Sequence, residues 1–213
     1  MKLQYPTCFF FLFIFCSYSF NQECTYDEVH VGNQIWMSQN LNVECFQNGD
    51  KIIEVKSLDD WNIAIKNKQP AWCYYKNKKS FGEKYGKLYN YFALTDTRGL
   101  APIGWHIPNI SEWNLFIDTV SESSLILSVF AENDVNNSIG FNAFFAGCRD
   151  NSMNYIDKDQ WTYWWAAVDE SSSTCNVLSV QPSYFPMFVN VKSGISSISW
   201  EDGFSVRCLK NSE

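Results

Sequence analysis

The chain has 213 residues, with 23 acidic against 16 basic side chains and a formal net charge of −7. That balance argues against nucleic acid and anionic membrane surfaces as partners, and it singles out no partner of its own. The length suffices for one domain with a real core, and nine Trp, eleven Tyr and seventeen Phe supply the apolar surface to fill it.

The N-terminus opens with a basic Met1-Lys2 and an unbroken apolar run over residues 8–16, followed by the small residues Ser17 and Ser19. This is the layout of a secretory signal peptide over residues 1–19. A bilayer span needs roughly 20 apolar residues, so the run is too short to be one. Lipidation at Cys16 is the weaker alternative, because Phe15 is bulky for that cleavage. The expectation is a mature chain, residues 20–213, forming a single secreted or cell-surface (extracytoplasmic) domain with no membrane span.

Gly32-Asn33 marks a turn between two short strands, and Asn48-Gly49-Asp50 marks a second turn. Ser57, with Asp60 three residues on, reads as an N-cap, and Trp61, Ala64 and Ile65 give a short helical face that ends before Pro70. Residues 71–75 (AWCYY) read as a buried strand. Tyr85, Leu88, Tyr89, Phe92 and Ala93 fall at helical spacing and predict a helix over residues 85–94. Pro108 then closes one segment. Asn109 and Glu112 form a capping box, and Trp113, Phe116, Ile117 and Val120 make one apolar face, predicting a helix over 109–120.

Beyond Ser121 the chain changes to short runs punctuated by Asn, Ser, Gly and Asp. Strands are expected over 141–145, 161–168, 176–180, 188–191, 195–200 and 204–209. Helices first and strands second predict an α+β domain.

Six cysteines remain after signal removal: Cys24, Cys45, Cys73, Cys148, Cys175 and Cys208. An even number in an exported chain reads as up to three disulfides, with connectivity left open. No two are spaced for zinc or for C-x-x-C redox chemistry, and only His30 and His106 add nitrogen ligands, so no metal site is expected.

In series, these segments resemble a bacterial family, the Fibrobacter succinogenes major paralogous domain. The matching stretches are GNQIWMSQNL (32–41), FQNGD (46–50), AWCYY (71–75), YGKLYNYFA (85–93) and GLAPIGWHIP (99–108). Glu112-Trp113, Gly147 with Arg149-Asp150, YWW (163–165) and GFSVRC (203–208) follow in order. The resemblance implies a C-type-lectin-like fold, distantly similar to formylglycine-generating and sulfatase-modifying domains, in secreted or surface proteins without an established activity. The residues Trp105, His106, Pro108, Glu112, Trp113 and Arg207 are its structural signature. Ala101 stands where many members carry Cys, and Cys45 and Cys148 stand where many carry an aromatic residue.

The enzyme alternative implied by the resemblance is a copper-dependent oxidase using a thiol pair, for which Cys148, Cys175 and Cys208 are the candidates. Structural disulfides are the simpler reading. Calcium-dependent sugar binding has only shadows here, in Gln181-Pro182-Ser183 and Trp200-Glu201-Asp202, and calcium is unsupported. His106 lacks a catalytic set and is expected to be a buried partner to backbone. Trp161, Tyr163, Trp164, Trp165 and Trp200 are the ligand-binding candidates. Neighbours on a strand face opposite ways, so Trp164 and Trp165 are expected to leave one ring at a surface or under a loop. Asp150, Asp157 and Asp159 lie in a polar loop nearby and read by default as solvated. Arg207 is expected to be buried against a carboxylate, Glu112 or Asp150. Together these readings favour a secreted, non-catalytic binding domain whose partner is a glycan or a protein, engaged by the loops between residues 150 and 202.

Overall fold

A computed structural model describes residues 25–122, 139–150, 154–167, 176–180, 189–193 (backbone only) and 201–212. The signal-peptide segment, Cys24, Cys175, residues 181–183, Trp200 and the strand expected over 195–200 lie outside the described residues.

Strand β1 (Glu28–Val31) turns at Gly32-Asn33 into β2 (Gln34–Met37), with Val31 opposite Gln34 as the expected two-residue hairpin requires. Strand β3 (Ile53–Glu54) leads into helix α1 (Leu58–Lys66), whose N-cap Ser57 accepts from the Asp60 N–H. Helix α1 buries Trp61 and Ala64 and returns the chain to β4 (Ala71–Cys73), parallel to β3. A helical crossover is how two parallel neighbours are joined.

The helix predicted over 85–94 is three elements instead. Helix α2 (Lys79–Tyr85) stops at Gly86, strand β5 (Leu88–Asn90) follows, and the short helix α3 (Tyr91–Leu94) comes next. Gly86 has φ +76°, a left-handed conformation that ends a helix. Asn90 then caps α3 by accepting from the Ala93 N–H, while β5 pairs with β4. The apolar spacing was real, but it belongs to two helices and a buried strand.

Strand β6 (Trp105–His106) precedes α4 (Ile110–Glu122), and here the capping box forms as expected. Asn109 Oδ1 accepts from the Glu112 N–H at 3.0 Å, and Glu112 Oε2 accepts from the Asn109 N–H at 2.8 Å. Trp113, Phe116 and Val120 are buried. The described second half holds β7 (Cys148–Arg149), β8 (Tyr155–Ile156), β9 (Thr162–Ala166), β10 (Asn176–Val180), β11 (Val189–Ser193), β12 (Gly203–Phe204) and β13 (Leu209–Lys210). Three sheets result, in the orders β1-β2-β13-β6, β11-β10-β9 and β3-β4-β5-β12-β7-β8. The class is α+β, and among the described residues no helix is long and apolar enough to cross a membrane.

Two expected strands are altered for a common reason. Over residues 141–145 the side chains alternate in burial, yet no strand forms, because the Phe141 and Asn142 carbonyls are taken by Arg207. Over residues 204–209 the middle of the run leaves one sheet for another. Ser205 O accepts from Trp165 N, Val206 O from Leu41 N and Cys208 O from Met37 N. Leu209 then lies between Trp36 and His106, so β13 joins the first hairpin to the segment before α4.

Arg207 is fully buried, and among the described residues no carboxylate is bonded to it. Nη1 donates to Met37 O (3.0 Å) and Phe141 O (2.7 Å), Nη2 to Asn142 O (3.2 Å) and Nε to Asn40 Oδ1 (3.1 Å). The guanidinium carbon stacks 4.5 Å from the Phe141 ring centroid. Neither Glu112 nor Asp150 is its partner. Glu112 serves the capping box, and Asp150 Oδ1 accepts from the Asn154 N–H. Burial draws the Arg207 pKa down to about 9, so the group is still charged at neutral pH. Replacing Arg207 by Met removes the donor fork and takes a hydrogen-bond partner from four oxygens, of which Asn40 Oδ1 keeps the Trp164 indole. The expected loss is about 3–5 kcal/mol in equilibrium urea unfolding, with Arg207→Lys recovering less than half of it.

Candidate functional site

Strand β9 places the tryptophans where the ligand reading does not need them. Trp164 and Trp165 do face opposite sides, but both are buried, at 2% and 0% exposure. Trp164 stacks on Trp113 at 5.5 Å, and its indole donates to Asn40 Oδ1. Trp165 packs against Phe204, and its indole donates to the Tyr89 carbonyl. The strand is covered on both faces by different core clusters, so neither ring reaches a ligand. Trp161 and Tyr163 form a half-buried stack with centroids 6.1 Å apart. The Tyr163 hydroxyl donates to Asp157 Oδ2 at 2.6 Å, and Asp159 pairs with Lys158. These aspartates are therefore tied to neighbours. Among the described residues no group of three His, Cys, Asp or Glu side chains converges on a point that could hold a metal.

The signature residues build a joint. His106 is half-exposed and meets side chains, not backbone: its Nε2 lies 2.9 Å from Glu112 Oε1 and its Nδ1 2.8 Å from Asn211 Oδ1. Glu112 thus caps α4 with one oxygen and holds His106 with the other. Pro108 O accepts from the Ala167 N–H, and Trp105 is buried against Tyr26.

The cavity worth attention lies in the first half of the chain. Residues 25–27, 37–47 and 100–103 enclose a groove of about 900 Å³. Its walls are irregular backbone pinned by long-range bonds: Leu41 N to Val206 O, Gln47 N to Gly99 O, and Gln47 Nε2 to Ala101 O. Arg98 reinforces one end, bonded to Asp96 and Asp50 and stacked 4.2 Å from the Phe46 centroid. Both carboxyls are held below the usual carboxylate range by Arg98. Gln39, Asn42, Glu44 and Asp27 are exposed on the walls, with the half-buried Tyr26 among them. None of these was picked out from the sequence. The available signal was the run Ser38-Gln39-Asn40-Leu41-Asn42, polar amides with neither helical nor strand periodicity directly after a confident hairpin.

Cys45 also lines the groove, half-exposed, while Cys73, Cys148 and Cys208 are buried, and all four are free thiols. The expected disulfides therefore do not form among these four, which sit where they pack as small apolar groups. Burial pushes the Cys73 thiol up to about 11, Cys208 up to about 12 and Cys148 higher still. A copper-loading thiol pair calls for thiolates, whereas burial shifts Cys148 and Cys208 the other way; the third candidate, Cys175, lies outside the described residues.

An α+β domain with a polar groove, a buried arginine hub and a capped signature helix is thus in place. Residues 29–210 match the family described as Fibrobacter succinogenes major domain, and the chain belongs to that family. No curated protein sequence and no solved structure matches it.

The thiol environments set a labelling pattern. At pH 8 the thiolate fraction of Cys73 and Cys208 is roughly a thousandth or less, so iodoacetamide on the folded protein should modify Cys45 and spare Cys73, Cys148 and Cys208. Peptide mass mapping before and after denaturation reads the difference. Above about pH 9 the unfolded chain loses thiol protons that the fold retains, so stability should fall as pH rises through that range.

Proposed function

We propose that the protein is a secreted or surface-exposed, non-catalytic binding domain of C-type-lectin-like architecture, and that its groove receives a glycan. The observation that carries this reading is the groove's lining. The exposed Gln39 carboxamide, carboxylates from Asp27 and Glu44, and the Tyr26 ring line one open cavity of about 900 Å³. Amides and carboxylates satisfy sugar hydroxyls as donors and acceptors, and an aromatic ring offers a face to the sugar's C–H side. The two carboxylates favour neutral or amino sugars over anionic ones. Cavities of roughly 300–1,000 Å³ suit a ligand of a few sugar units.

The oxidase alternative draws no support from the buried, raised-pKa thiols. Of the aromatic candidates between 150 and 202, Trp164 and Trp165 are taken into the core.

A glycan array probed with the folded chain should return neutral or amino-sugar oligosaccharides. By titration calorimetry on the best of them, Gln39→Ala combined with Tyr26→Ala should weaken binding at least tenfold, while Trp161→Ala should leave it unchanged. An array with no retained glycan, or a double variant that binds like the wild type, overturns the reading.

A further inference from the structure

Under the groove wall lies a lysine in unusual company. The Lys87 side chain is 2% exposed. Its Nζ sits 2.6 Å from Asn42 Oδ1, 2.9 Å from the Asn42 carbonyl and 3.6 Å from Glu44 Oε1. Trp72 and Tyr74 cover the ammonium, with ring centroids 4.4 and 5.0 Å away. The Asn42 amide is oriented by its own Nδ2, which donates to Gly82 O at 3.2 Å and so turns the carbonyl towards the lysine.

Two glycines permit this closeness. A Cβ on Gly86 would lie 2.8 Å from Asn40 Cβ and 2.9 Å from Leu41 O. A Cβ on Gly82 would fall 1.9 Å from the Tyr74 ring. The backbone before Lys87 and the turn that receives Asn42 Nδ2 are therefore both held at distances that a side chain forbids.

We propose that Lys87 and Asn42 join in an intramolecular isopeptide bond, with Glu44 carrying the protons. Asn42 Oδ1, bonded to the carbon that the amine attacks, lies 2.6 Å from Nζ, so the two reacting groups are held in contact. Glu44 takes a proton from the Lys87 ammonium, and the freed lone pair forms the Nζ–Cγ bond. Glu44 returns that proton to Nδ2. A second proton passes from Nζ to Nδ2 by the same route, and the Cγ–Nδ2 electron pair leaves with nitrogen as ammonium. The charge lost from lysine departs on ammonium, and no oxidant or cofactor enters. Burial lowers the Lys87 pKa, with Glu44 opposing, which eases release of the first proton. The product ties β5 to the groove wall across 45 positions of chain. It requires no groove ligand.

The test is the intact mass of the reduced, folded full chain, followed by peptide mapping. A deficit of about 17 Da, the mass of ammonia, together with a branched peptide joining residues 42 and 87, is the expected result. An unchanged mass overturns the proposal. So does the same deficit without the branched peptide, since a succinimide at Asn48-Gly49 gives that mass too. Lys87→Arg abolishes the deficit. Glu44→Gln, a change at an exposed side chain that leaves the fold intact by circular dichroism, should slow bond formation at least tenfold. Formation at the wild-type rate in that variant overturns the role given to Glu44.

Discussion

The buried guanidinium of Arg207 joins parts of the chain that lie far apart in sequence. Arg207 collects the carbonyls of Met37, Phe141 and Asn142 and the amide oxygen of Asn40, four acceptors from two distant parts of the chain. Without Arg207 each of these oxygens has one partner fewer. A neutral-oxygen cage costs less to assemble than a buried ion pair with an ill-placed carboxylate, because no second charge is desolvated. The charge itself remains, and the four hydrogen bonds to the fork offset its removal from water.

Asn40 links that cage to the groove. Its Oδ1 accepts from both Arg207 Nε and the Trp164 indole, and its Nδ2 donates to Tyr85 O. It also lines the groove. The irregular stretch 38–47 is thereby fixed by the core's polar centre and not by secondary structure. A binding surface on loops gains specificity when its backbone is held this way, because less ordering entropy is lost when a ligand arrives.

Where a signal was local, the sequence made it readable. Gly32-Asn33, Ser57 with Asp60 and Asn109 with Glu112 each act within a few residues, and all three structures formed. Where the deciding contact was distant, the local pattern misled. The spacing from Tyr85 to Ala93 fits a helix, but the left-handed Gly86 and the pairing of β5 with β4 divide it. Alternation correctly put Trp164 and Trp165 on opposite faces. It could not show that α4 covers one face and β12 the other. The groove was the least legible feature, since its walls come from three separated segments that share no periodicity.

Lys87 follows the same logic as Arg207 with a different outcome. Both are buried cations set among aromatic rings and carbonyl oxygens. Arg207 keeps its proton and its delocalised guanidinium is a poor nucleophile, so its site is permanent scaffolding. Lys87 is a compact amine that can lose a proton, and it lies against a side-chain amide with a carboxylate beside it. The chemistry open to a buried cation is therefore set by which residue type fills the cage. In this fold the two cages lie on either side of the same loop, one bonded through Asn40 and the other through Asn42. Any force that pulls on residues 38–47 is resisted from both.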